Sequence, residues 1–512
     1  MDDALAARVR DALAVDVEQF HARVAADAEA IVTELREGTF DNSRSAIGLE
    51  YEFYAVETGR WGGEAAGGAG ALARIPRRVL DLTGFEKELG LHNAEMTTTP
   101  QPLNGHGLRA QEQEVLARLE AALDYTADEG MRLVSDALWT IPPAGETARG
   151  YLTDSAEVDG VVLARNMSDS VRYHAMANGP ESPDEVRLEA PNVELVAPTV
   201  LPESLITSIQ PHYQVAAAED LPERFNYALR AAGPLLSLAA NSPFFPPDLY
   251  TTSDPERVLA DAHAEHRIDV FESVMNRDGA RKVRFPDDLD TVEGAVRRLV
   301  DDPPIVPMPV EKSADRFDDA FATLRLKHGT HWRWIRPVFG GATRSAANVR
   351  IEFRPIGAQP TVRDSIAFHA TFAGLMERLP AVDHPVSELP WEVARDNFYD
   401  AAREGLASEQ RWITADGEET TASAAVFEDL FARAVEGLCD VGLDHDVAQG
   451  YVAPLRARVE AGVDPATWKR ERARERVDAG ADLAEAIRGM QRDYVERQAE
   501  TLLEGTFASW LN

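Results

Sequence analysis

A strand with two glutamates on one face limits the folds open to this chain more than any other feature. In Gly48-Leu49-Glu50-Tyr51-Glu52-Phe53, apolar Leu49, Tyr51 and Phe53 alternate with Glu50 and Glu52. A period of two predicts a strand from about Ile47 to Val56. Its apolar face meets a core, and both carboxylates lie on the other face, roughly 6.5–7 Å apart. Hard oxygen ligands at that spacing suit Mg²⁺ held against phosphates. The pattern returns in Val349-Arg350-Ile351-Glu352-Phe353-Arg354, where Arg350, Glu352 and Arg354 share a face. An acid between two arginines is either a solvated ion-pair ladder or a metal ligand beside cations that hold an anionic substrate. A strand near Thr207 to Ala216 sets Gln210, His212 and Gln214 on one face, and Asn93-Ala94-Glu95-Met96-Thr97-Thr98 adds a further glutamate. Taken singly, each segment reads as a half-buried strand with its polar face in water. Their recurrence points to a shared site.

The remaining periodicity is helical. Residues 2–37 are expected as one helix, capped by Asp2 or Asp3 and ended by Gly38. Others are expected over Leu108–Glu129, across Pro222 to Ala240, and from Val362 to Leu379. From about Glu392 onward the chain reads as nearly all helix, broken near Gly417 and near Gly462 to Pro465. Phe427, Leu430, Phe431, Ala434 and Leu438 form one apolar stripe there, and Leu483, Ile487, Met490 and Tyr494 another; both are core stripes. The passage from Arg165 to Asn192 reads mostly as loop around Val171-Arg172-Tyr173-His174. Gly59 to Gly70 reads as a Gly/Ala-rich loop, and its Gly68-Ala69-Gly70 lacks the βαβ context of a dinucleotide fingerprint. Strands separated by loops and helices, without strict alternation, predict an α+β fold with an antiparallel sheet.

Eighty-seven acidic against 52 basic residues give a net charge of −35, and only five of the bases are lysine. Such a surface argues against nucleic-acid binding through phosphate contacts. An apolar content of 44% and the absence of long acidic blocks argue against disorder. Adaptation to molar intracellular salt, as in a salt-accumulating archaeon, accounts for the charge. The lone cysteine, Cys439, excludes an internal disulfide, and no Cys/His cluster has zinc spacing. No apolar run approaches 18 residues, and the acidic N-terminus lacks a signal-peptide pattern. A cytoplasmic protein without membrane partners is expected, its oligomeric state left open.

The four glutamate and histidine segments together resemble the glutamate–cysteine ligase-like carboxylate–amine ligases. The resemblance implies a curved antiparallel sheet flanked by helices, a glutamine synthetase-like catalytic core; the N- and C-terminal helices are extensions that this core does not account for. The implied division is an N-terminal helix at 1–40, a catalytic domain at 41–405 and a helical region at 406–512. It makes Glu50, Glu52, Glu95 and Glu352 metal ligands, and His212 a residue facing nucleotide and metal, with Gln210 and Gln214 beside it. Arg172 and Tyr173 resemble a pair near the donor substrate. Ala240-Asn241-Ser242-Pro243-Phe244 resembles a family turn, which places Asn241 and Ser242 among the substrate-binding residues. Trp334-Ile335-Arg336-Pro337 and the Glu352 strand resemble paired late strands whose arginines, Arg336 and Arg354, face phosphate or substrate.

The implied reaction uses ATP and two or three Mg²⁺ ions, with Mn²⁺ as an alternative, to activate a carboxylate for attack by an amine. Glutamate as donor and cysteine as acceptor are the implied substrates. A different amine acceptor and a non-catalytic binding protein on the same fold are the alternatives. A metal-dependent phosphohydrolase would prefer Asp/His clusters, which the sequence lacks.

The charge generates a first prediction. At about 1 M salt the Debye length is near 3 Å, and at ~10 mM near 30 Å, so dilution unmasks the self-repulsion. The protein is expected to unfold well below molar KCl, followed by circular dichroism across a KCl series. An unchanged melting point at ~50 mM salt removes the halophilic reading.

Overall fold

In a computed structural model, residues 2–59, 70–179, 185–276, 281–310 and 316–511 are described. The expected strand is present as Ala46–Glu57 and forms the axis of an eight-stranded antiparallel sheet. On one side it pairs with Ile209–Gln214, which is followed outward by Asn348–Phe353 and the edge strand Ile335–Gly340. On the other it pairs with Asn93–Thr97, which carries the short Glu86–Lys87 strand. Gln101–Pro102 and Met131–Val134 pair with its two ends.

The apolar side of this curled sheet lies against helices. Leu49, Tyr51, Phe53, Tyr213, Ile351 and Phe353 are all at most 1% exposed. Helices Gly105–Asp128, Leu221–Ala239 and Val362–Ala381 cover them, and Phe353 stacks on Phe372 at 4.3 Å between ring centroids. Together with the other helices they give the α+β fold with a glutamine synthetase-like sheet that the sequence implied.

Two helical expectations change. Residues 2–37 form two helices, Asp2–Leu13 and Val17–Arg36, because Asp16 leaves the helical path and its side chain caps the second through the Gln19 N–H. The segment read as loop between Arg165 and Asn192 contains helix Val171–Asn178, and strand Val186–Ala190 pairs with Val193–Ala197. Both are too short for a periodic signal to rise above their Ser, Asn and Gly content. Of the expected Gly59–Gly70 loop, 60–69 lie outside the described residues, and so does most of the Gly68-Ala69-Gly70 run.

The C-terminal helices join the main core. Both expected stripes are buried, and Cys439 packs at the edge of the core. Helix Ser423–Asp440 crosses Val362–Ala381 at Gly374 and Gly437, so closely that a Cβ on Gly437 would lie 1.9 Å from the Gly374 carbonyl oxygen. Fully buried Arg458 donates to Asp364 at 2.9 Å and to Gln359 at 2.7 Å. Buried Lys469 bonds Asp136 and, at 2.6 Å, the Asn241 carbonyl. Gly437→Leu should therefore force the two helices apart and cost about 1–3 kcal/mol or more, read by chemical denaturation. A change below ~0.5 kcal/mol would contradict the close crossing.

Candidate active site

Strand register gathers the ionisable face. Glu52 lies opposite Glu95, Glu50 opposite Gln210, His212 opposite Glu352, and Glu352 opposite Arg336. Directly opposed residues share a face, so one side of five neighbouring strands carries all of them. Glu50, Glu52, Glu95, Gln210, Arg336 and Arg354 line a cavity of about 310 Å³. Arg172 and Tyr173 close it from helix Val171–Asn178, where Gly329 makes room for the Arg172 guanidinium: a Cβ there would lie 2.5 Å from Nη1.

His212 and Glu352 are buried among these lining residues. Arg350 Nε donates to His212 Nδ1 at 3.1 Å, and His212 Nε2 lies 3.1 Å from Glu50 Oε1. Arg336 Nε and Arg354 Nη1 donate to Glu352 at 2.9 and 2.6 Å, and both bonds end on Oε1. Gln210 ties the two banks together, donating to Glu52 at 2.9 Å and accepting from Arg354 at 2.6 Å. The Ser208 N–H donates to Glu52 at 2.6 Å.

The electrostatics divide the cavity in two. Burial alone would neutralise Glu352, but Arg336 and Arg354 outweigh it and hold the carboxyl well below the ordinary range. At Glu50 His212 likewise overcomes burial and lowers the carboxyl. On the other side burial, with Glu88 next in effect, pushes Glu52 up to about 7. Burial, then the charges of Glu50, Glu88 and Glu52, pushes Glu95 well above the ordinary range. Such a bank of oxygen donors is stable when it holds protons or a hard cation.

Three lining residues, Lys87, Glu88 and Glu203, carried no signal in the sequence. Burial raises Glu88 and, with the nearby Glu88 and Glu52 charges, raises Glu203 further. Glu88 follows a two-residue strand and Glu203 sits in the 3₁₀ turn Leu201–Leu205, where no alternation marks them. Only the charged run Glu86-Lys87-Glu88 beside the Glu95 segment could have drawn attention.

Three expected site residues lie elsewhere. Asn241 and Ser242 are at most 1% exposed and do not line the cavity. Asn241 donates from Nδ2 to the Ala358 carbonyl at 2.7 Å and from its main chain to Glu265 at 2.7 Å; Ser242 Oγ accepts from the Arg267 N–H at 3.0 Å. Their turn locks the loops behind the sheet. Gln214 is opposite Arg350 and Ala46, past the end of the cavity. A separate group, His263, His266 and Asp269, brings its ligand atoms within 4.8 Å of one another. However, His266 Nε2 accepts from the His263 N–H at 3.2 Å, so Nδ1 keeps its proton for Asp269, and the group is a hydrogen-bonded helix start.

Among the described residues, no helix is long and apolar enough to cross a membrane. No curated protein sequence matches the chain. Among solved structures, a glutamate–cysteine ligase from Francisella tularensis in complex with AMP aligns at 12% identity over 92% of each chain, with a TM-score of 0.52. A bifunctional glutathione synthetase from Pasteurella multocida aligns at 12% identity over 93% of this chain and 55% of that one, with a TM-score of 0.45. The first likeness concerns the fold. The sequence model of glutamate–cysteine ligase family 2 matches residues 46–501, which takes in the glutamate-bearing sheet and the C-terminal helices alike. With that match covering most of its length, the chain belongs to glutamate–cysteine ligase family 2 and is an ATP-dependent carboxylate–amine ligase.

Proposed function

We propose that this enzyme joins the γ-carboxylate of L-glutamate to an amine, splitting ATP to ADP and phosphate through a γ-glutamyl phosphate. The observation that supports the reading is the division of one cavity into a carboxylate bank and a guanidinium bank. ATP and a carboxylate repel, and that arrangement answers the repulsion from both sides. Glu50, Glu52, Glu95 and Glu352 would hold two or three Mg²⁺ ions, or Mn²⁺. The donors fit: they are hard oxygens, Glu52 and Glu95 are raised by burial and then by neighbouring carboxylates, and the arginine bonds to Glu352 use one oxygen only. When bound, the ions neutralise phosphate charge and polarise the transferring phosphoryl group.

The remaining work falls to the chain's own side chains. Arg336 and Arg354, fixed by Glu352, orient the phosphoryl oxygens and stabilise charge as it moves from ATP to the donor carboxylate. His212 holds Glu50 in place, and Gln210 holds both Glu52 and Arg354. Arg172, with Tyr173 beside it, meets the α-carboxylate of glutamate. No covalent enzyme nucleophile takes part, since the amine attacks the acyl phosphate directly. Cysteine is the acceptor that the family resemblance names. A second reading, a different amine, is favoured by a large apolar cavity next to this one.

With ATP, Mg²⁺ and glutamate in molar KCl, addition of cysteine or another amine should release ADP and phosphate. AMP and pyrophosphate would contradict the mechanism. Glu50→Gln and Glu95→Gln should each lower kcat by about 10²-fold or more, some 2.7 kcal/mol of barrier, with circular dichroism unchanged. Near-normal turnover in either would remove that residue from the metal set.

The raised carboxyls also set a pH dependence. A folded-state pKa above the unfolded value means that the native state holds the proton more tightly. Stability from that group is full below 4.5 and is lost as pH rises, for Glu52 up to about 7. The metal-free protein should thus lose melting temperature between about pH 4.5 and 7, and Mg²⁺ should restore it. Glu95→Gln should flatten the decline and leave the low-pH value alone. A decline of unchanged slope in that variant would show that the repulsion lies elsewhere.

A further inference from the structure

A second cavity, of about 570 Å³, adjoins the carboxylate cavity, and Lys87 and Asn93 line both. Its size lies within the roughly 300–1,000 Å³ of small-molecule sites. The walls are apolar: Leu5, Ile75, Leu80, Leu91, Leu163 and Met167 contribute most of them. Part of the wall comes from Ala4, Leu5 and Arg8 of helix Asp2–Leu13, which packs on Val171–Asn178. That N-terminal helix precedes the matched family segment, residues 46–501.

Two polar side chains of this cavity are buried without a hydrogen-bond partner, Ser168 Oγ and His174 Nδ1, on residues 4% and 1% exposed. The His174 Nε2 donates to the Ser168 carbonyl at 3.0 Å, so Nδ1 presents a lone pair. Burial lowers the ring's pKa and keeps it neutral. A buried acceptor left unmet carries a desolvation cost that a ligand donor would remove. Arg8, Arg77 and Arg165, all exposed, form the cavity's cationic rim, and Lys87 lies where the two cavities meet. Arg77 and Lys87 share Asp169, Arg165 meets Asp154, and Arg8 has no ion pair recorded among the described residues. That rim disfavours a ligand with a second positive charge.

Resting on the ligase reading above, we infer that this cavity seats the acceptor: a large apolar, typically aromatic, amine with a hydrogen-bond donor at its far end. The body lies among Leu5, Leu80, Leu163 and Met167, and the far hydroxyl or N–H meets His174 Nδ1. The amine end passes the Lys87–Asp169 pair, of which Lys87 is 30% exposed, into the carboxylate cavity. There the amine nitrogen attacks the acyl carbon of γ-glutamyl phosphate. The C–N bond forms, the bond from carbon to the phosphate oxygen breaks, phosphate leaves with the electron pair, and the nitrogen gives up a proton. Cysteine would leave most of the space empty, and polyamines would meet the cationic rim.

The test uses the full-length enzyme with ATP, Mg²⁺ and glutamate in molar KCl, and four acceptors: tyramine, phenethylamine, cysteine and hydroxylamine. Hydroxylamine reports acyl-phosphate formation without needing the second cavity. Tyramine is expected to have a KM at least about tenfold below that of cysteine, with phenethylamine, which lacks the hydroxyl, in between. Ala4→Trp, at an exposed helix position that faces the cavity, should lower the ratio of tyramine to hydroxylamine turnover by about tenfold or more. Where that variant does not fold, Ser168→Ala should shift the same ratio in the same direction. Cysteine preferred over both aromatic amines, or a ratio that neither variant moves, overturns the inference. No hydroxamate from glutamate and hydroxylamine would instead overturn the ligase reading on which it rests.

Discussion

Like charges repel most where water is scarce, and this chain sets Glu50, Glu52, Glu88, Glu95 and Glu203 around one half-buried cavity. Something has to hold them there. The restraint is on the reverse of the same strands, where Tyr51, Phe53, Tyr213, Ile351 and Phe353 are sealed against helices. Because side chains alternate along a strand, a slip of one residue would turn the glutamates into that core and the aromatics into the cavity. The apolar packing therefore fixes the register, and the register fixes the site. Each glutamate is held by neighbours that lose far more by moving than it gains.

The repulsion is not spread evenly. Arginine and histidine partners keep Glu352 and Glu50 ionised, while Glu52, Glu95 and Glu203 lack enough cationic support. Across one sheet this makes a gradient from a compensated to an uncompensated side. On the proposed reading, a donor carboxylate and a nucleotide would bring negative charge of their own, so the uncompensated side would admit them only with cations. On that reading, a need for a divalent ion would follow from the residues before any geometry of the ion is considered.

The alternation of Glu50 and Glu52 with Leu49, Tyr51 and Phe53 was readable because a period of two is local, and His212 and Glu352 followed for the same reason. Their meeting at one cavity is a matter of strand order, which alternation does not encode; the family resemblance supplied it. Glu88 and Glu203 were missed because they sit in short, irregular backbone with no period to mark them. Asn241 and Ser242 show the opposite failure. Their turn is distinctive in sequence, but its polar atoms hold loops together behind the sheet, and a distinctive motif need not face a ligand. The break at Asp16 escaped notice because alanine-rich sequence continues on both sides of it, and only the cap bond to Gln19 marks the new start.

Arg458 and Lys469 carry a consequence for how the molecule comes apart. Both belong to the last helices, yet their carboxylate partners, Asp364 and Asp136, are buried beside the large sheet and its covering helices. Lifting the C-terminal segment away would strand two acids in the interior without counter-ions, at several kcal/mol each. The segment cannot fray while the sheet persists, so loss of either brings down the other. A protease that cuts an exposed turn near Gly442 or Gly480 would release no durable core; digestion would run to peptides or not begin.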